Sequence, residues 1–158
     1  MKRRTVSILT FILLVVMISL LSVFMASQAH LSRAEEETIA LVEVDHTVKK
    51  VNQFYWTTTD QSCFTIDFID DQAERFYAIV EREGGDIHYF PYQELIKESD
   101  AKSITASEIK DPQIMQARLG LYKEKPVWEM TLRNSNQTIS YFILDAKTGE
   151  WVQTLSNI

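Results

Sequence analysis

Cysteine, glycine and clustered positive charge are all scarce in this 158-residue chain, and each scarcity removes a class of function. The single cysteine, Cys63, permits no internal disulfide, so the fold must be held by its core or by other means. Cys63 also has no activating group beside it in sequence, and no serine lies in a G-x-S-x-G turn, so a nucleophilic centre is not expected. Four glycines leave no glycine-rich loop to cradle a phosphate. The three histidines, His30, His46 and His88, are far apart and none has a metal-ligand spacing such as H-E-x-x-H. They read as residues of a membrane interface, a helix surface and a short strand. Basic residues number 16 against 22 acidic ones. Three of the basic residues precede Arg33, which leaves 13 against all 22 from Arg33 onward, a net of −9. Nucleic acid is therefore not an expected partner, because phosphate binding needs clustered Lys and Arg.

What the chain does have is one long apolar run. Val6 to Ala26 reads VSILTFILLVVMISLLSVFMA and holds no charge. At 1.5 Å per residue it covers ~30 Å, a hydrocarbon core's thickness. Lys2, Arg3 and Arg4 stand before it, which by the positive-inside rule keeps residues 1–5 as a cytoplasmic tail, makes residues 6–27 the transmembrane helix and places the C-terminal part outside the cell membrane. Ser27-Gln28-Ala29 is a passable cleavage site, but the run exceeds the ~7–15 residues of a usual signal h-region, so an uncleaved single-pass anchor is expected. No cysteine near its end opens a lipoprotein route.

The rest alternates between helical and strand periods. Ser32-Arg33-Ala34-Glu35 has capping-box spacing and predicts a helix start after a break from the membrane helix. Leu41, Val44, Val48 and Val51 supply its apolar stripe. Strand-like runs follow at 54–59, 63–69, 75–81 and 87–90, joined by turns at Asp60-Gln61, Asp70-Asp71 and Gly84-Gly85-Asp86. In the second run Phe64, Ile66 and Phe68 share one face, so Cys63 points the other way as a passive, half-buried thiol. The pattern then repeats. Pro91 fits the first turn of a second helix carrying Leu95, Ile96, Ala101 and Ile104, and strands are expected at 114–122, 127–133, 138–144 and 151–155. Gly149 supplies the positive φ of the last hairpin. The fold class is α+β: a transmembrane helix, then two small units, residues 33–90 and 91–158, each a helix packed on an antiparallel sheet.

Two stretches carry a family resemblance. Val127-Trp128-Glu129-Met130-Thr131 followed by Tyr141-Phe142-Ile143-Leu144-Asp145-Ala146-Lys147-Thr148-Gly149-Glu150 resembles the recurring end of PepSY units. With the order of anchor, acidic helix, meander, helix and meander, the chain resembles the bacterial membrane proteins of the TseB (YpmB) type from low-GC Gram-positive bacteria. Tyr92-Gln93-Glu94-Leu95 replaces the Ser/Thr-x-x-Glu-Ala opening common in PepSY helices. The resemblance implies cystatin-like units and a regulator of lateral cell-wall elongation that binds a penicillin-binding transpeptidase. It carries over no catalytic residue, cofactor or metal ligand. An inhibitor or chaperone of a peptidase, the role suggested by PepSY units in propeptides, is the alternative.

The residues agree with a binding role. Asp67, Asp70, Asp71 and Glu74 lack the alternating ligands and glycine of a calcium loop and are expected in a solvated hairpin, as are Glu81, Glu83 and Asp86. Carboxylate pairs suited to glycan hydrolysis arise by chance among 22 acids, so an enzyme acting on wall glycan is the weakest reading. Of three Trp, six Tyr and eight Phe, Trp128 and Trp151 are expected beneath the second helix. Trp56, Tyr92, Tyr122 and Tyr141 are the candidates for an exposed partner surface.

Overall fold

The computed structural model describes residues 2–156, with the side chains of residues 2–5 and 26–29 outside the described set. The chain divides into two compact units, residues 1–37 and 38–158. α1 (Lys2–Val42) is one uninterrupted helix whose N-terminal part is long and apolar enough to cross a membrane. The break expected at Ser32 is absent. Nothing there stops a helix, since the first glycine is Gly84 and the first proline Pro91, and a capping box inside a run of good helix formers does not outweigh continued backbone bonding. Thr10, Ser19 and Ser22 turn their hydroxyls back onto the carbonyls of Val6, Val15 and Ile18, which satisfies each of them within the helix. The passable cleavage site Ser27-Gln28-Ala29 lies where no side chain is described.

The second unit holds eight strands in two antiparallel meanders. β1 (Lys50–Thr57), β2 (Cys63–Ile69), β3 (Arg75–Glu81) and β4 (Ile87–Pro91) form one sheet, and β5 (Gln113–Tyr122), β6 (Lys125–Arg133), β7 (Ile139–Asp145) and β8 (Trp151–Leu155) form the other. Between the sheets, a 3-10 turn at Tyr92–Glu94 leads to α2 (Glu98–Glu108).

The first sheet buries both of its faces, each against a different partner. On the first, Ile66, Phe68, Ala78 and Val80 pack under Ile39, Val42 and Val48. The apolar stripe read from the sequence is thus displaced: Leu41 and Val44 are exposed, the helix ends at Val42, and Val51 belongs to β1. The second helix is also shorter than expected. Pro91 closes β4, and the chain is held extended at Leu95 and Ile96 because the Ile96 N–H donates to the Ala146 carbonyl (2.7 Å) while its own carbonyl accepts from Trp128 Nε1 (2.8 Å). Those bonds to the second sheet prevail over local helical periodicity. Trp128 is fully buried, as expected, whereas Trp151 is 60% exposed and lies outside the core.

The opposite face of the first sheet does not meet solvent. Tyr55, Cys63, Tyr77 and Ile79 join Leu119, Trp128, Met130 and Phe142 of the second sheet in one shared core. Cys63 is therefore fully buried rather than half-buried, and burial pushes its thiol pKa up. β5, the edge strand of the second sheet, lies against β1 and β2. Its Leu119 carbonyl accepts a bond from Thr65 Oγ1 (2.8 Å), and Asp60 Oδ2 accepts the Lys123 N–H (2.9 Å). Gly120 makes the approach possible, because a Cβ there would sit 2.1 Å from Thr57 Oγ1.

Gly120→Ala is expected to destabilise the domain by about 2 kcal/mol, the scale of overpacking a core. Thr57→Ala, whose buried hydroxyl has no hydrogen-bond partner, should recover part of the loss in the double variant. Urea unfolding of the full chain in detergent micelles measures both; an unchanged midpoint for Gly120→Ala refutes the close contact.

Candidate functional site

Three strands and the start of α2 enclose a polar cleft of about 220 Å³, lined by Asn52, Gln53, Tyr55, Asp67, Arg75, Tyr77, Tyr92, Lys97, Glu98 and Ser99. Strand register builds its floor. Gln53, Asp67 and Tyr77 stand opposite one another across β1, β2 and β3 and so share one face. The ladder shifts register between Val51 and Gln53, leaving Asn52 as the extra residue of a bulge. The bulge turns Asn52 toward that face, where its Nδ2 donates to Asp67 Oδ1 (3.1 Å).

Asp67 is only 2% exposed and is satisfied by Arg75. The Arg75 Nε–H donates to Oδ1 at 2.7 Å and Nη2 donates to Oδ2, a bidentate pair. The guanidinium lies 3.7 Å from the centroid of the Tyr92 ring, which in turn stacks on Tyr77 with centroids 5.4 Å apart. On the α2 side, Tyr55 donates to Glu98 Oε2 (3.0 Å), and Lys102 Nζ holds Glu98 Oε1 at 2.5 Å. Burial, reinforced by Glu98, pushes the Tyr55 phenol far above its ordinary value, and burial with Asp67 does the same to Tyr77. Both phenols therefore stay protonated and act as hydrogen-bond donors, not as bases or nucleophiles. Among the described residues no protein group engages the Tyr77 hydroxyl, although the residue is only 2% exposed and lines the cleft.

The four aromatic candidates do not form one surface. Tyr92 belongs to the cleft. Trp56 is 40% exposed and stands on the other face of β1, beside Phe64 (5.5 Å) and near Phe54. Tyr122 and Tyr141, both half-buried, share the face of the second sheet that carries Glu129 and Val127. Tyr122 reaches from β5 across that face to Gln153 Oε1 of β8 (2.5 Å). Of the ten residues that line the cleft, Tyr92 alone was a site candidate from the sequence. A hairpin with an acid and an arginine on either side of its turn was the available signal for the Asp67–Arg75 pair.

The acidic hairpin is also less solvated than expected. Asp67 and Asp70 are buried, and Asp70 Oδ1 accepts the N–H groups of Gln72 (2.9 Å) and Glu74 (2.8 Å), shaping a turn in which Ala73 takes φ 63°. Asp71 and Glu74 remain exposed. His46 does not lie on a helix surface; its ring sits among Phe68, Phe76 and Tyr89, whose phenol bonds Asp45 and is pushed up to about 12 by burial and that bond. His88 pairs with Glu81 Oε1 (2.7 Å). Among the described residues no three His, Cys, Asp or Glu side chains gather as a metal site. Glu129, within the Trp-Glu stretch, is 3% exposed, and its ionic neighbour is Arg118 at 3.8 Å. Burial raises its pKa and Arg118 opposes the rise only in part.

No protein-family model matches the sequence, and no curated protein matches it at a significant level. Two solved structures do. The YpmB protein from Bacillus subtilis superposes with a TM-score of 0.66 at 18% identity, covering 76% of this chain and 95% of that one. A candidate lipoprotein from Clostridium difficile 630 matches at 9% identity with a TM-score of 0.41, over 79% of this chain and 91% of that one. The chain has a YpmB-like fold.

Asp67→Asn should cost about 2 kcal/mol, less than the loss of a fully buried pair because the Arg75 side chain is 36% exposed. Thermal unfolding should show this, and an unshifted midpoint means that the ion pair holds nothing. Glu129→Gln should stabilise the protein at neutral pH. A raised native pKa means the wild-type contribution is fully present below the unfolded carboxyl pKa and is lost as pH rises through the native one. The gain from Gln should therefore shrink on acidification; a gain that grows in acid contradicts the assignment.

Proposed function

We propose that the chain is a membrane-anchored regulator that acts outside the cell membrane by docking on a penicillin-binding transpeptidase and thereby modulates cell-wall elongation. The observation that carries this reading is the union, in one chain, of a single apolar helix with an α+β domain of YpmB-like fold. The PepSY-like residues Val127–Thr131 and Tyr141–Glu150 support it from the sequence side. The cleft adds to it chemically, since its titrating phenols are held protonated and its carboxylates are already engaged, an arrangement suited to recognition. Tethering both partners to one membrane raises their effective concentration, so a weak interface suffices. Trp56, with Phe64 and Phe54 beside it, is the exposed aromatic group best suited to anchor such a contact.

Photo-crosslinking in living cells tests this, with probes at surface positions around Trp56 and, separately, at Tyr122 and Tyr141. Capture of a penicillin-binding transpeptidase from the Trp56 face is expected. Trp56→Ala should reduce that capture at least about tenfold while shifting stability by only about 0.5 kcal/mol, as for a surface side chain. Capture of an exported peptidase instead would replace the regulator with the inhibitor or chaperone, and capture of no wall-synthesis protein would refute the proposal.

A further inference from the structure

We propose that the cleft between β1–β3 and the start of α2 receives the free carboxylate at the end of a peptide. Several residues that line it carry donors with no protein acceptor among the described residues. Tyr77 is only 2% exposed and lines the cleft, no protein group engages its hydroxyl among the described residues, and its raised pKa keeps the proton on it. Lys97 occupies the position before α2, makes no side-chain capping bond, and forms no ion pair among the described residues. The backbone N–H groups of Glu98 and Ser99, in the first turn of an 11-residue helix, have no acceptor within that helix. A phenol, an ammonium and two backbone donors on residues that line one cleft suit an acceptor with two oxygens.

The charges already present choose among anions. Asp67 is saturated by Arg75 and Asn52, and Glu98 by Tyr55 and Lys102, so neither requires a cationic ligand. Those same two carboxylates, with Lys97 as the unpaired cation, favour a singly charged guest over a phosphate dianion. Size points the same way. A volume of about 220 Å³ lies below the ~300–1,000 Å³ of pockets that take drug-sized molecules and suits a terminal residue or two. The Tyr92 ring offers an apolar wall to the terminal side chain, and the Gln53 amide stands exposed at the rim for the preceding peptide group.

The test titrates the full chain, in detergent micelles, with N-acetyl-alanyl-alanine, its C-terminal amide and inorganic phosphate, following the backbone amide signals of Glu98 and Ser99. The free acid should shift these signals saturably, and the amide should need about tenfold higher concentration. Tyr77→Phe should weaken acid binding about fivefold, the worth of one hydrogen bond, and Lys97→Gln by at least as much. Neither variant should lower the thermal midpoint, because neither the Tyr77 hydroxyl nor the Lys97 ammonium has a partner among the described residues and Phe keeps the ring contacts with Tyr92 and Trp128. Equal binding of acid and amide, tighter binding of phosphate, or no saturable shift each overturns the assignment. A lowered midpoint for Tyr77→Phe overturns it too, by revealing that the hydroxyl serves the fold.

Discussion

The structure depends on the way β5 lies against the face of the first sheet. An edge strand carries a row of unpaired backbone groups and must be covered or blunted. Here the first sheet covers it: Thr65 takes the Leu119 carbonyl, and Gly120 lets the backbone approach Thr57 more closely than any side chain would allow. The same contact explains why both faces of β2 are buried. Ile66 and Phe68 face the end of α1, while Cys63 and Thr65 face the second sheet. Neither four-stranded sheet has a complete core without what lies on its other side, as expected for units of ~60 residues.

The cleft is the polar margin of that junction. Tyr55 and Tyr77 belong at once to the shared core, where each meets Trp128 edge-on at 5.6 and 6.3 Å, and to the lining of the cleft. Their rings continue the apolar seal while their hydroxyls face polar groups, the usual compromise for a tyrosine at a boundary. Asp67 lies deeper still, and it tolerates burial only because Arg75 meets it with two bonds and Asn52 with a third. Tyr92 then covers Arg75 from outside, so the only fully buried acid of the cleft is enclosed by partners on every side that carries a charge.

Sequence periodicity carried most of the fold because strands bury alternate residues and the turns between them have distinctive composition. β2, β3 and β8 have the bounds read from their alternation, and Gly149 takes the positive φ assigned to it (76°). The misreadings share a cause. The end of the first helix, the extended Leu95–Ile96 segment and the burial of Cys63 are all decided by contacts with the other sheet or with β2–β4, which a local pattern does not contain. The aromatic candidates scattered for the same reason: composition identified large rings, but strand register decided that Tyr92 enters the cleft while Trp56 faces away from it. The cleft itself was illegible because its other nine lining residues come from β1, β2, β3 and the start of α2, and one of them, Asn52, is aimed by a bulge.

That dispersal has a mechanical consequence. The floor of the cleft is built from β1, β2 and β3, whereas Lys97, Glu98 and Ser99 arrive on α2, which packs against the second sheet. A group bound between them touches both halves of the domain at the margin of their common core. Tyr55 to Glu98 is already one such link, and Trp128 Nε1 to the Ile96 carbonyl is a second, just before α2 begins. A guest that bonds residues on both sides of the cleft adds to those links, and for such a guest occupancy and the stiffness of the joint are thermodynamically coupled: whatever tightens one favours the other.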